Sequence, residues 1–480
     1  MRPPASGPAL LTVLLAGCSL APHYERPPVP PPQAAYKEAG DWKVAAPADT
    51  SPRGPWWTMF QDDDLNGLEA QVTSANQNLR AALASLEEAR AQTRIARSSW
   101  FPTLTADAAA TRSRVSINSP SFAPGKSPTY NLFTAQADLS YELDLFGRIR
   151  NTVANARYSE QATAGDVAAL DLAVHAELAT DYFTLRGLDA EQQLLDQTVA
   201  DYARALALTQ NLYKGGAAAI SDVQQAQSQL ETARTQAEDT RLRRAQTEHA
   251  IAVLVGREAS SFELAARPAA QLPAPPVIDP GLPSQLLERR PDVAAAERRV
   301  AAANANIGVA RAAYFPVFSL FANAGVQSTN SATWLSAPSQ FWAIGPQAVL
   351  TLFNGGLHRA QSQAAHAIYD QQVANYRNTV LTAFEDVEDN LAALRQLQLE
   401  SVSEAAAVKA TQGALDQANL RYKGGIVTYL EVVTTENAAL AARLSAADIE
   451  IRRASAAVLL VKALGGDWKE PPPYTASVNP

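Results

Sequence analysis

The sequence has little cysteine, few aromatic residues and no long apolar run, and each shortage narrows the kind of protein it encodes. Cys18 is the only cysteine among 480 residues, so the chain cannot form an internal disulfide. Because no stretch approaches about eighteen consecutive apolar residues, membrane-spanning helices are not expected. A formal net charge of −8 argues against a nucleic-acid-binding surface, which needs clustered positive charge. Aromatic residues make up only 7% of the chain, and much of its apolar content is alanine, which favours long, closely packed helices.

Sequence signals of enzymatic chemistry are also absent. None of the five histidines lies three or four residues from another, so a helical zinc-binding pair is not formed. The sequence has no phosphate-binding loop, no Gly-x-Ser-x-Gly elbow and no dinucleotide fingerprint. We therefore predict that the protein is not an enzyme and that it has no metal and no cofactor.

The N-terminal residues are typical of a secretory signal. An apolar run, ALLTVLLAGC, ends in small residues at Cys18. Its last four residues resemble a bacterial lipobox, in which cleavage leaves the cysteine as a new, acylated N-terminus, and Ser19 then resembles an outer-membrane address. The sequence thus predicts a signal peptide over residues 1–17, and a lipid anchor with a proline-rich tether over residues 18–60. The alternative is a cysteine that occurs by chance within a signal peptide.

Most of the chain consists of two similar halves. NLRAALASLEEARAQTRIARSSWFP and DVAAAERRVAAANANIGVARAAYFP each lead into alternating sequence, and LYKGG and RYKGG later interrupt two long helical tracts. We predict a first repeat over residues 61–267, a proline-rich connector over 268–283, a second repeat over 284–466 and a tail over 467–480. Each repeat is predicted to contain a helix, a β-hairpin, a long helix, a tip turn and a return helix. The predicted boundaries are 101–146 and 315–353 for the hairpins, and 213–216 and 422–425 for the tip turns.

The hairpins carry the clearest local signal. From residue 133 to residue 145, apolar residues occupy the odd positions and polar residues the even positions up to 144. This alternation is longer than the usual five or six residues of a strand in a soluble protein. It is typical of a strand that crosses a bilayer with one face toward lipid and the other toward a water-filled lumen. Long hairpins packed on a soluble core are the alternative.

The strands and the long helices both point to assembly. Four strands in lipid would leave two unpaired edges, so further copies of the chain must close the barrel. Two copies would give eight strands, and three would give twelve with room for water. Residues 185–213 show the 3-4 spacing of a coiled-coil seam, and residues 394–422 keep that register with more polar side chains. A helix over residues 152–212 would extend about 90 Å, which suits a packed stalk or a hollow conduit.

The sequence LPSQLLERRPDVAAAERRVAAANANIGVARAAYFP, residues 282–316, resembles the signature of TolC-like outer-membrane efflux proteins of the lipidated NodT/OprM type. The lipobox, the repeat and YELDLFGRIRN agree with this resemblance. It implies an α+β membrane protein in which a homotrimer forms a twelve-stranded outer-membrane β-barrel continuous with a long periplasmic α-helical barrel. Such a trimer is a passive exit duct for small molecules, joined by a periplasmic adaptor to an inner-membrane pump, here of the RND type. A duct for type I protein secretion and a non-conducting coiled-coil lipoprotein remain alternatives.

The repeated Tyr-Lys-Gly-Gly motif predicts two tip turns. Glycine permits the left-handed backbone that ends a helix, and a lysine complements the helix C-terminus. The resemblance implies that these turns also form the periplasmic tips where the adaptor docks; the alternative is that they are helix caps alone. The eight residues of the two tips are Tyr213, Lys214, Gly215, Gly216, Tyr422, Lys423, Gly424 and Gly425.

Two carboxylates, Asp222 and Glu431, each lie nine residues after the tyrosine of a tip. In a trimer each would become a ring of three carboxylates, a charged constriction of the kind that selects cations. The resemblance implies the same role for Glu431 and a gating role for Tyr422. Val427 and Thr434 occupy positions that are charged in the best-known member of the family, so the same ion-pair latch is not expected. The alternative is that both carboxylates are ordinary solvated charges.

A further acidic cluster lies in TAFEDVEDNL. We interpret it as a solvated helix face rather than a metal site. Its members are Glu385, Asp386, Glu388 and Asp389.

Overall fold

The structure is a computed structural model that describes residues 19–29, 37, 55–120, 125, 127–267 and 290–466. The predicted signal peptide, Cys18, the connector 268–283 and the tail 467–480 lie outside these described residues. Where it is described, the chain is mostly helical and contains one four-stranded sheet, as an α+β fold requires. None of the helices in these ranges is long and apolar enough to span a membrane.

From the helix before the hairpin onward, each half of the chain contributes the same order of helices and strands, and the first half has one further helix, α1 (Asp63–Ala75), ahead of it. The first half begins with a short 3-10 helix, Trp56–Phe60, and the two halves are joined by a segment containing a second one, Ala259–Ser261. The two long helices have 67 residues each and the two return helices 35 each, so the halves can be aligned position by position. The elements of the first half are α1 (Asp63–Ala75), α2 (Gln77–Ser98), β1 (Thr103–Arg114), β2 (Thr129–Leu143), α3 (Arg148–Lys214) and α4 (Ile220–Leu254). Those of the second half are α5 (Pro291–Ala312), β3 (Val317–Ser328), a 3-10 helix (Ala337–Ser339), β4 (Gln340–Val349), α6 (Leu357–Lys423) and α7 (Tyr429–Ala463).

The four strands form one antiparallel sheet in the order β1-β2-β3-β4, so β1 and β4 are its two edges. Leu104 lies opposite Leu139, and Leu143 lies opposite Phe318, which keeps the apolar residues on one face. The second hairpin was predicted to continue to residue 353, but β4 ends at Val349. The reason is that Val349 already pairs with Val317, the first residue of β3, and no strand remains beyond it to pair with.

The described residues fall into two compact units, one containing the sheet and the other containing the return helices and their turns. In the second unit, the seam predicted along α3 is buried: Leu185 is fully enclosed, and Leu195 and Tyr202 are almost so. Small side chains on α4, such as Ala226 and Ala233, face this seam and permit close helix packing. Tyr213 was predicted as the last seam position, but it is exposed, because the helix ends one residue later.

A buried ionic network joins residues of the first half of the chain that all belong to the second compact unit. Asp189 is almost fully enclosed and accepts hydrogen bonds from Arg186 Nη1 at 3.0 Å, Arg244 Nε at 2.7 Å and the Arg267 N–H at 3.2 Å. Arg186 also donates to the Ala265 carbonyl at 2.8 Å. Because several donors share one carboxylate, its charge is compensated away from water.

A second buried polar cluster joins α1 to α3. His175 Nδ1 contacts the carboxylate of Glu69, and its Nε2 lies 3.5 Å from Asp171. Trp57 stacks on the imidazole with ring centroids 4.5 Å apart. Burial lowers the pKa of His175, but the hydrogen bonds that its ring donates to the two carboxylates, together with their negative charge, outweigh burial and raise that pKa to about 9. Burial likewise raises the pKa of Glu69 to about 7.

Candidate channel tip and constriction

The first tip is a helix-ending turn built on a single glycine. Gly216 has φ of +76°, a left-handed conformation that strains any other L-residue. Its N–H donates to the Tyr213 carbonyl at 2.9 Å, and the Ala217 N–H donates to the Leu212 carbonyl at 2.8 Å. These two bonds form a Schellman motif, which satisfies carbonyls left free at the end of α3.

The second tip repeats that geometry. Gly425 has φ of +71°, its N–H donates to the Tyr422 carbonyl at 2.9 Å, and the Ile426 N–H donates to the Arg421 carbonyl at 2.9 Å. The sequence left open which glycine of each pair reverses the chain. In both tips it is the second, because Gly424, like the first glycine of the other tip, still makes a helical bond to the residue four before it. The two reversing glycines, Gly216 and Gly425, lie within the predicted tip turns 213–216 and 422–425.

The tips expose apolar as well as charged side chains. Lys214 and Lys423 are both exposed at the ends of their helices. Around them lie side chains that a lone chain would ordinarily bury. These exposed apolar residues are Tyr213, Ile220, Leu420, Ile426 and Leu430.

Asp222 lies in the first turn of α4. Its carboxylate is half-buried and accepts a hydrogen bond from the Ala219 N–H at 3.4 Å. A negative charge at this position complements the positive end of the helix dipole. Asp222 thus has a structural role in the return helix besides its predicted place at the constriction.

Glu431 occupies the matching turn of α7 but has a different partner. Its Oε1 lies 2.5 Å from Arg421 Nη1, across the tip turn. The side chains are 50% exposed for Arg421 and 38% for Glu431, so solvent screens the pair. Sequence reasoning missed Arg421 because the two residues are ten positions apart and meet only after the chain reverses.

Tyr422 contacts Tyr429, and the charge of Glu436 also acts on Tyr429. The ring of Tyr422 packs on Tyr429 with centroids 5.4 Å apart, and among the described residues its hydroxyl has no hydrogen-bond partner. Burial, and then the negative charge of Asp201, raise the pKa of Glu436 to about 7, and one oxygen of this carboxylate is also unpartnered there. Burial raises the pKa of Tyr429 as well. Glu436 lies outside the repeated motif, so no sequence pattern predicted it.

The acidic cluster on α6 is only partly a solvated face. Glu385 and Asp389 are exposed, whereas Asp386 and Glu388 are half-buried. Asp386 accepts a hydrogen bond from Arg290 Nη1 at 2.8 Å, which binds the start of α5 to α6. Within the described ranges, no group of three or more histidine, cysteine or carboxylate side chains could hold a metal ion.

Comparisons with known proteins agree over nearly the whole chain. The family model for outer membrane efflux proteins matches residues 69–257 and 282–466. The chain is 33% identical to outer membrane protein OprJ of Pseudomonas aeruginosa, over 98% of each chain. It is 30% identical to the cation efflux system protein CusC of Escherichia coli, over 96% of this chain and 98% of that one.

Solved structures give the same result. The crystal structure of the CmeC outer membrane channel of Campylobacter jejuni superposes with a TM-score of 0.88, at 25% sequence identity. It covers 94% of this chain, and the match covers 96% of CmeC. The chain therefore belongs to the outer membrane efflux protein family.

Proposed function

We propose that this protein is the outer-membrane channel of a tripartite efflux system, a passive exit duct for small molecules expelled by an inner-membrane pump through a periplasmic adaptor. The family match over both halves of the chain carries this proposal. Relatives along the full length bear names of outer membrane and efflux proteins. We assign no catalytic activity, because the pump would supply the energy for transport.

The proposed assembly is a homotrimer with a lipid-anchored, outer-membrane location and a long periplasmic extension. Three copies of the four-stranded sheet would close a twelve-stranded barrel, which removes the unpaired edges of β1 and β4. The equal lengths of the long helices support a duplicated chain whose 67-residue helices, each about 100 Å long, line one periplasmic conduit. The anchor would be acyl chains on Cys18, including palmitate, followed by the tether.

The proposed periplasmic constriction contains Asp222, Glu431 and Tyr422. Threefold symmetry would convert each carboxylate into a ring, and Arg421 would partly neutralise the ring at Glu431. The exposed apolar side chains of the two tips favour an adaptor-docking surface, because burying apolar surface against a partner removes it from water and stabilises the complex. An RND-type pump would complete the system.

Membership of the family does not determine which class of compound this duct transports. CusC is named as a cation efflux protein, whereas the name of OprJ specifies no transported compound. Sequence identity at this level therefore does not distinguish metal ions from organic compounds as the cargo. Deletion of the gene and exposure of the strain to antibiotics, organic toxins and metal ions would identify the class. We expect increased sensitivity to at least one of these classes, and unchanged sensitivity to all of them would contradict an efflux role.

Conductance separates the proposed duct from its rivals. The purified protein, reconstituted in a planar bilayer, should conduct ions through a water-filled pore. A non-conducting coiled-coil lipoprotein would give no current. A duct for protein secretion would conduct, but its deletion would abolish export of a protein substrate and leave drug sensitivity unchanged.

A further inference from the structure

The chain passes from strand to long helix at two junctions that match in sequence but differ in packing. The sequence LDLF begins at the last residue of β2 and ends at Phe146, and the matching sequence LTLF follows β4 and ends at Phe353. Phe146 stacks on Phe315 with ring centroids 4.7 Å apart and also contacts Phe318 at 6.4 Å. Phe353, in contrast, is 89% exposed.

The site that receives Phe146 also has a counterpart. Phe315 precedes β3 in the sequence AAYFP, and the matching residue before β1 is Phe101 in SSWFP. By the same alignment, Leu104 on β1 matches Phe318 on β3. Phe101 is 69% exposed and Leu104 is 71% exposed. We call the pair of side chains that contacts the phenylalanine its receiving site. The β4 edge thus has an exposed phenylalanine, Phe353, without a receiving site, and the β1 edge has an exposed receiving site, Phe101 and Leu104, without a phenylalanine.

These two edges cannot satisfy each other within one copy, because β1 and β4 lie at opposite ends of the strand order. We infer that Phe353 packs between Phe101 of the partner subunit and Leu104 of the partner subunit, as Phe146 packs on its own chain. The occupant of the edge is therefore a second copy of this chain. This inference rests on the proposed closed barrel and adds the contact and the strand register that close it.

The register follows from the pairing of β2 with β3. There Leu143 lies opposite Phe318, three residues before Phe146. Applied to β4, the same pairing sets Leu350 opposite the partner's Leu104, Ala348 opposite the partner's Ala106, and Gln347 opposite the partner's Asp107.

The transferred register is consistent with the faces of the sheet. Leu350 and Ala348 continue the apolar face that contains Leu104 and Ala106, whereas Gln347 and Asp107 belong to the opposite face. A slip by one residue would exchange the two faces. A slip by two residues would preserve the faces but move Phe353 by about 7 Å along the strand, away from its receiving site.

Disulfide formation tests this register in the full-length protein. Two double variants place cysteines directly opposite each other: Ala348→Cys with Ala106→Cys, and Gln347→Cys with Asp107→Cys. Both are needed, because opposite pairs in an antiparallel sheet alternate between two hydrogen-bonding types with different spacing. The matched controls shift the second cysteine by two residues, using Ala108→Cys and Ala109→Cys. Such diagonal pairs are about 7–8 Å apart, beyond the reach of a disulfide.

Single-cysteine variants control for bonds to Cys18. After oxidation in outer membranes, at least one opposite pair should shift most of the protein to disulfide-linked trimers on a non-reducing gel, and the shifted pairs should remain monomeric on that gel. Single-channel conductance and native mass are measured on the same preparations. If the protein is a conducting trimer but the shifted pairs crosslink instead, or no pair crosslinks, the register is wrong and the channel proposal stands. A non-conducting single subunit would overturn both.

Discussion

The two halves of this chain share a backbone plan but divide the polar interactions unequally. Position by position along the long helices, Asp189 and His175 of α3 correspond to Gln398 and Phe384 of α6. The first half therefore contains two buried ionic clusters at positions where the second half has an exposed amide and an aromatic ring. At the tips the relation reverses, since, among the residues that the structure describes, only the second half places an arginine, Arg421, against its carboxylate. The backbone plan thus requires the helix seam and the turn glycines, while the ionic groups differ between halves.

The largest difference is expected from Asp189→Ala. This change leaves Arg186 and Arg244 without their shared carboxylate in a site where Asp189 is almost fully enclosed. Loss of one partner from a buried ion pair costs about 3–5 kcal/mol. The matched control is Gln398→Ala, because Gln398 is exposed and its hydrogen bond to Arg453 lies at the surface. Thermal unfolding followed by circular dichroism should show a large drop for the first variant and almost none for the second; equal melting temperatures would contradict the asymmetry.

The strand-to-helix junctions should differ next. Because Phe353 is 89% exposed in one chain, Phe353→Ala should leave the subunit folded but remove the burial of one side chain at each contact between subunits. Full burial of a phenylalanine is worth about 1.5–3 kcal/mol. The temperature at which trimers dissociate on a mildly denaturing gel should fall. Leu352→Ala is the control, since Leu352 is as exposed as Phe353 and its counterpart in the first half, Leu145, is also exposed in its own chain. Trimers that dissociate at the same temperature in both variants would exclude the proposed contact.

Sequence reasoning reached the parts of the fold that depend on repeated local patterns. Strict alternation over residues 133–145 predicted β2, and the 3-4 spacing predicted Leu185, Leu195 and Tyr202 on the buried side of α3. A pair of glycines indicated each tip, although only backbone geometry shows that Gly216 and Gly425 have the positive φ.

The remaining contacts could not be found in the same way, because they join residues of different helices or segments. His175 and Glu69 are separated by 106 positions, and the Asp189 network draws on the segment that leads into the connector. Arg421 and Glu431 are near in sequence but belong to different helices. No periodic pattern predicts such meetings, since each depends on how the helices pack.

The dependence of stability on pH should also differ between the halves. The pKa of His175 is raised to about 9, above its ordinary value of 6.5, so the folded state holds a proton that the unfolded state releases. This stabilisation is fully present below pH 6.5 and is lost as the pH rises through 9. The raised pKa of Glu69 acts in the same direction between its ordinary value of 4.5 and about 7. Loss of the charge-assisted hydrogen bond should cost about 1.5 kcal/mol.

Melting temperatures at pH 6.5 and pH 9 measure this effect. The wild type should lose stability over that interval, and His175→Gln should lose less. Phe384→Leu, at the matching position of the second half, should keep the full dependence of the wild type. If His175→Gln retained the same pH dependence, the buried imidazole would not be its source.

The smallest effect on stability, and the most specific effect on function, is expected at Arg421. Both members of its pair with Glu431 are well exposed, so Arg421→Ser should change the unfolding free energy by only about 0.2–1 kcal/mol. In the proposed trimer it would unmask three negative charges at the constriction and increase the preference for cations. Glu431→Gln should reduce that preference, and Leu212→Ser, at the position of α3 that corresponds to Arg421, should leave it unchanged because no charge is altered. Reversal potentials across a KCl gradient measure all three. Opposite shifts from the two charge variants require that the pair faces the permeating ions, whereas identical potentials would remove Glu431 from the constriction and leave its contact with Arg421 as a surface ion pair.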